Sequence, residues 1–135
     1  MLSKTVENLK GLIHIEKEHS KADIHYIKKL QESLRDDLIS AAGIFYTERD
    51  VLEKRIIVAE KADIDDKFLL TKCRELLDES AKLSKRLTKY KESKRIKCLK
   101  FRDMYNSYLL ISETNRSISL MRNYITQLNR CTTNE

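Results

Sequence analysis

Residues 69–125 read LLTKCRELLDESAKLSKRLTKYKESKRIKCLKFRDMYNSYLLISETNRSISLMRNYI, and this stretch decides the fold. One position in it recurs every seven residues and is apolar at eight of nine occurrences. The nine residues are Leu69, Leu76, Leu83, Tyr90, Lys97, Met104, Ile111, Ile118 and Ile125. A repeat of seven returns the same helix face to a neighbouring helix. The pattern therefore predicts a long helix that packs against a second helix.

The composition is that of a helical protein. The chain has 135 residues, no proline, two glycines and 36% charged residues, which favours helix and argues against strand-rich folds. Long paired helices bury little surface, so we expect a partner or self-association. No stretch approaches the roughly 20 apolar residues of a membrane span, and the first residues lack the apolar segment of a signal peptide. We therefore expect no integral membrane segment and a cytoplasmic location.

The apolar spacing divides the chain into two arms. The expected segments are a first helical arm, a turn, a second helical arm and a polar tail, at residues 1–62, 63–67, 68–130 and 131–135. Asp63 is the predicted N-cap of the second arm. We expect an all-α fold, namely a long antiparallel two-helix coiled-coil hairpin. The alternatives are a three-helix bundle with a break near Gly43, because glycine costs about 1 kcal/mol in a helix interior, and one continuous helix.

Polar residues interrupt the apolar seam of both arms. A hairpin that reverses near residue 65 places Asp36 and Asp37 opposite Lys94 and near Lys97. Polar groups in such a seam fix register at a cost in stability. These four residues are therefore predicted to form one polar layer.

The second arm is basic. The first 62 residues contain equal numbers of acidic and basic side chains, so the whole net charge of +6 belongs to the rest of the chain. The candidate partner-binding basic residues are Lys82, Lys85, Arg86, Lys89, Lys91, Arg95, Lys100 and Arg102. They indicate an anionic partner, unless they simply form a solvated helix face. Nucleic acid is disfavoured, because apolar residues interrupt the run and no aromatic RNA-binding pattern is present.

Residues 98–111 are apolar on more than one helix face, so one seam cannot cover them. The candidate apolar partner-binding residues are Leu99, Tyr105, Leu109 and Leu110. A further helix of the same chain, a second copy in a homodimer or a different protein would cover this surface.

No catalytic, cofactor-binding or metal-binding residues are predicted. Cys73, Cys98 and Cys131 are odd in number and widely spaced, which fits neither a disulfide framework nor a metal pair. Cys73 is expected in the core. The three histidines are spaced by five and six residues, so they do not share one helix face. We expect a non-enzyme.

In architecture the chain resembles the FliJ and YscO group of type III export proteins, which are small, basic and nearly all-helical. The resemblance covers the whole chain, for which the sequence predicts a helix from Met1 and Leu2 and a division into two arms at EKADIDDK, residues 60–67. It rests on no residue motif. It implies a central stalk that inserts into a hexameric export ATPase and contacts the export gate, with the basic arm and residues 98–111 as contacts. A coiled-coil scaffold or tether of another complex and a helical secretion chaperone are the alternative functions.

Overall fold

The computed structural model describes residues 21–92 and 101–133, with side chains described for 24–90 and 103–133. These residues form three α-helices and no strand, so the predicted all-α class is confirmed. The helices are α1 (Lys21–Lys61), α2 (Lys67–Glu92) and α3 (Phe101–Thr133). At 1.5 Å per residue their lengths are about 60, 40 and 50 Å.

α1 and α2 form an antiparallel pair. Tyr46 Oη lies 3.1 Å from Thr88 Oγ1, near the end of α2. Glu60, in the last turn of α1, forms an ion pair with Arg74, near the start of α2. Later positions on α1 thus face earlier positions on α2, and the two helices run in opposite directions.

α3 runs parallel to α1 and antiparallel to α2. Arg122 Nε lies 3.2 Å from Glu48 Oε1, in the second half of α1. Further along α3, Cys131 lies near enough to Cys73, in the second turn of α2, to raise the pKa of its thiol. The chain direction of α3 is therefore toward the α1–α2 turn. Among the described residues, α3 packs most extensively against α1 and least against α2.

The predicted two-helix hairpin is not confirmed, because the predicted second arm contains two helices that run in opposite directions. Three helices fit the alternative bundle, but the break is not near Gly43, which lies inside α1. Ala41 and Phe45 on either side of Gly43 are buried, and a Cβ atom on Gly43 would meet nothing within 4 Å. Burial of these neighbours outweighs the cost of glycine in a helix, about 1 kcal/mol, so α1 continues through this position.

The turn between α1 and α2 satisfies the backbone groups of both helix ends. The amide of Asp63 donates to Glu60 O at 3.1 Å and the amide of Ile64 donates to Ala59 O at 3.4 Å, the two bonds of a Schellman motif. Asp63 occupies the left-handed position of this motif, with φ 49°. Ile64 and Ala59 are both buried, as the accompanying apolar contact requires.

The N-cap of α2 is Asp66, and the prediction of Asp63 at this position is wrong. Asp66 Oδ1 accepts a hydrogen bond of 2.9 Å from the amide of Leu69, the third residue of α2. Asp63 instead ends α1 and pairs with Lys67 at 2.6 Å. This bond and the neighbouring ammonium lower the pKa of the Asp63 carboxyl.

The seven-residue repeat lies in the core on both α2 and α3. Its buried members are Leu69, Leu76, Leu83, Met104, Ile111 and Ile118. Tyr90 and Ile125 are half-buried and pack against the same core. The predicted core position of Cys73 is confirmed, since this side chain is 0% exposed. The repeat therefore identified the buried face of the second arm correctly, although two helices share it.

Candidate partner-binding surface

The best-defined candidate surface is the basic face of α2. Lys82, Lys85, Arg86 and Lys89 are all exposed. Their spacing of three or four residues places them on adjoining turns of one side of the helix. These four side chains therefore form one exposed basic face of α2.

The charges on this face are not equally neutralised. Arg86 forms an ion pair with Glu113 of α3. Within the part of the chain that the structure describes, Lys82, Lys85 and Lys89 form no ion pair with a carboxylate. Three ammonium groups on one exposed face therefore remain available to an anionic partner.

The other predicted basic residues give no further geometry. Lys91 lies in α2 and Arg102 in α3, at positions whose side chains are not described. Arg95 and Lys100 lie outside the described residues. The basic surface is thus defined by the four residues of α2.

The predicted polar layer is only half within the described residues. Asp36 is exposed and Asp37 is half-buried, both on α1. Lys94 and Lys97 lie outside the described residues. The layer therefore stays a prediction.

The predicted apolar surface divides between the core and solvent. Tyr105 is 45% exposed and Leu109 is 39% exposed, whereas Leu110 is 7% exposed and belongs to the core. Leu110 was predicted on the surface, but its position on α3 faces the core that α1 and α2 also line. Leu99 lies outside the described residues.

Two exposed apolar residues extend these surfaces. Leu120 of α3 is 42% exposed, although its neighbour Met121 is fully buried. Phe68, at the start of α2, is 73% exposed, and the ammonium of Lys72 lies 5.3 Å from its ring centroid. Phe68 was not among the predicted sites. The sequence contained a signal for this exposure: Phe68 lies one position before Leu69 and so does not share the helix face of the seven-residue repeat.

α1 also has exposed apolar side chains. They are Ile24, Tyr26, Ile39, Ile44, Ile57 and Val58. Single exposed apolar residues are normal on protein surfaces and define no site by themselves. The surface on α2 and α3 differs from that of α1 in its combination of residues. Exposed lysines with no ion pair among the described residues lie on α2, and exposed apolar side chains lie on the neighbouring α3.

The buried thiol of Cys73 is not activated. Cys73 and Cys131 are both free cysteines. The pKa of the Cys73 thiol is raised to about 11, mainly by burial and to a smaller extent by the nearby Asp66 and Cys131. Cys131, expected in a polar tail, lies in the last turns of α3 and packs against the core. A buried thiol with a raised pKa is a poor nucleophile.

No group of three or more potential metal ligands occurs in the described ranges, 21–92 and 101–133. In those ranges no helix is both long and apolar enough to cross a membrane. Comparisons found no matching family model, no matching curated protein and no matching solved structure. The functional argument therefore rests on the surface alone.

Proposed function

We propose that this protein is a non-enzymatic helical subunit that acts through protein–protein contacts and binds an acidic partner on the basic face of α2. The main support is the row of exposed ammonium groups on Lys82, Lys85 and Lys89, which have no carboxylate partner among the described residues. Desolvated charges are costly unless they are paired, so such a face favours a partner with carboxylates at matching positions.

A more specific form of this proposal is the central stalk of a hexameric type III export ATPase. The resemblance to the FliJ and YscO group suggests this partner. The antiparallel pair of α1 and α2 supports it, since a stalk of that group presents two paired helices. α3 packs most extensively against α1, so the ring would contact the α2 side of the bundle, where the basic face is exposed.

Affinity purification from the native host followed by mass spectrometry tests the proposal. The test variant is Lys82→Glu/Lys85→Glu/Lys89→Glu, which reverses the basic face. The matched control is Lys28→Glu/Lys29→Glu/Lys61→Glu, which changes the net charge equally at exposed positions of α1. We expect the same acidic protein to be captured by the wild type and the control and lost by the test variant.

Two results are informative about the partner. A hexameric ATPase among the lost proteins, with stimulation of its ATPase activity by the wild type, would support the stalk. Recovery of the same set of proteins by all three baits would contradict a role for the basic face, and a scaffold that uses other surfaces would then be favoured.

A further inference from the structure

The ion pair between Arg86 and Glu113 joins two faces of neighbouring helices. On α2, Lys82 and Lys89 lie one turn before and one turn after Arg86, on the same side of the helix. Because Arg86 contacts α3 from this side, Lys82 and Lys89 are exposed on the side of α2 that adjoins α3. Glu113 neutralises the charge of Arg86, which lies between the two lysines. The ammonium groups of Lys82 and Lys89 are therefore two separate positive charges on this side of α2.

Apolar side chains lie on the matching face of α3. Leu109 lies one turn before Glu113 and Leu120 lies two turns after it, which places both within the same sector of the helix. They are 39% and 42% exposed. Tyr105 lies one turn before Leu109 and extends the row, with its ring 6.2 Å from that of Tyr108. An apolar row on α3 therefore lies beside a basic row on α2.

The antiparallel direction of the two helices fixes how the rows align. With Arg86 level with Glu113, residues after Arg86 are level with residues before Glu113. Lys89 is thus level with the Leu109 turn, and Lys82 lies between the Glu113 and Leu120 turns. Both rows extend over roughly 10 to 16 Å, which is two to three turns of a helix.

We propose that the edge between α2 and α3, defined by Lys82, Lys89, Leu109 and Leu120, binds an acidic amphipathic helix of a partner protein. This inference rests on the proposed function and names the chemistry of the partner segment. Its apolar side chains would contact Leu109 and Leu120, and its carboxylates on one flank would pair with Lys82 and Lys89. α2 and α3 contact each other least of the three helix pairs among the described residues, so a partner helix would lie along both of them at this edge.

Charge selects this occupant over others. A second copy of the chain has a net charge of +6, and it would bring two basic surfaces together. Nucleic acid would pair with the lysines but would leave the exposed leucines without apolar contacts. An acidic amphipathic helix satisfies both rows at once, because apolar and charged side chains occupy adjoining sectors of one helix.

Designed peptides test the inference on the full chain. The probe is a fluorescent helical peptide of about 18 residues with leucines on one face and glutamates on the adjoining flank. A peptide of the same composition, with leucines and glutamates distributed around the helix, is the control ligand. Fluorescence anisotropy measures affinity, and circular dichroism verifies that each variant is folded.

Two variants separate the contribution of the lysines to peptide binding from that of the leucines. Lys82→Glu/Lys89→Glu should weaken binding of the amphipathic peptide about tenfold or more and reduce its salt dependence. Leu109→Ser/Leu120→Ser should weaken it about tenfold through lost apolar contact. The matched controls are Lys28→Glu/Lys29→Glu and Ile39→Ser/Ile57→Ser, at exposed positions of α1, and both should bind as the wild type does.

Several outcomes would overturn the inference. These are equal affinity for both peptides, equal weakening by the control variants, or binding of a single-stranded DNA oligonucleotide in place of the peptide. A dimer in sedimentation velocity that Leu109→Ser/Leu120→Ser dissociates would overturn it as well. If the peptide fails to bind while the host partner is still lost on reversal of the basic face, the inference fails and the proposed function stands.

Discussion

Arg49 Nε donates a hydrogen bond of 2.8 Å to Ser80 Oγ, and this bond joins α1 to α2. Ser80 is only 2% exposed, and its hydroxyl donates in turn to Leu77 O at 2.6 Å. The Ser80 hydroxyl is therefore satisfied both as donor and as acceptor. A charged donor reaches a buried acceptor here, which makes this contact a specific link between the two helices.

Ser80→Ala should lower the free energy of unfolding by about 1 kcal/mol, because it removes the acceptor of the Arg49 hydrogen bond. Urea unfolding followed by circular dichroism measures the change. Ser107→Ala is the control, since among the described residues the Ser107 hydroxyl bonds only to Asp103 O of its own helix, at 2.9 Å. The control should change stability by less than about 0.5 kcal/mol. An equal loss in both variants would show that the bond between α1 and α2 contributes nothing specific.

Spin labels at Thr47→Cys and Asn123→Cys distinguish the three-helix bundle from a long hairpin. Both positions are exposed, and they adjoin the Glu48–Arg122 ion pair, so the labels should lie within about 25 Å of each other. In a two-helix hairpin that reverses near residue 65, the same labels would be about 60 Å apart. Double electron–electron resonance measures the distance in a background with the native cysteines replaced.

The control pair for this measurement is Asp50→Cys and Asp78→Cys. These exposed positions adjoin Arg49 and Leu77, which a hydrogen bond joins across α1 and α2, so the two labels should be close in either architecture. A long distance for the first pair with a short distance for the control pair would contradict the bundle.

Asp66→Ala should destabilise the protein by about 1 kcal/mol through loss of the N-cap of α2. The affected bond is the one from the amide of Leu69 to Asp66 Oδ1. Asp66→Asn should retain most of the stability, because an amide oxygen also accepts this bond. Asp65→Ala removes a neighbouring exposed carboxylate and serves as the control in thermal unfolding. A larger loss of stability in Asp65→Ala than in Asp66→Ala would contradict Asp66 as the N-cap of α2.

Stability should fall as the pH rises from about 9 to about 11, in part because of Cys73. Burial raises the pKa of this thiol in the folded protein, so the unfolded chain releases the proton first and is favoured as pH increases. The free energy that Cys73 contributes is therefore complete below about pH 9 and is lost as pH reaches about 11.

Urea unfolding of the wild type and of Cys73→Ala across this pH range isolates the effect, since the other groups titrate equally in both. The difference in stability between the two should shrink at high pH. Cys131→Ala, at a half-buried position, should keep most of the wild-type slope. Parallel curves for the wild type and Cys73→Ala would contradict the raised pKa.

The helical class and the buried face were predictable because both follow from local chemistry. The absence of proline and the abundance of helix-forming residues fix the class. The period of seven fixes which side of each helix is buried, as Leu76 and Ile118 show. The exposure of Lys82 and Lys89 was also predictable from residue type, since unpaired lysines are almost never fully buried.

The cap at Asp66 shows a local limit of the same reasoning. Asp63, Asp65 and Asp66 all have side chains that can cap a helix, and their order does not reveal which one does. Asp63 forms part of the Schellman motif at the end of α1, and Asp66 is the N-cap of α2. Sequence placed the turn in this acidic segment, and the backbone geometry assigned the roles.

By itself the sequence determined an all-helical chain, its buried faces and its basic second half. Only the tertiary structure decided that the second half contains two helices, that α3 lies along α1 and that Leu109 is exposed while Leu110 is buried. The physical reason is that the seven-residue repeat keeps its phase from Leu83 to Met104, and its one polar member, Lys97, is equally compatible with a polar position inside a continuous helix. A heptad repeat specifies which face is buried, whereas the packing partner and its direction depend on contacts between helices that are distant in sequence.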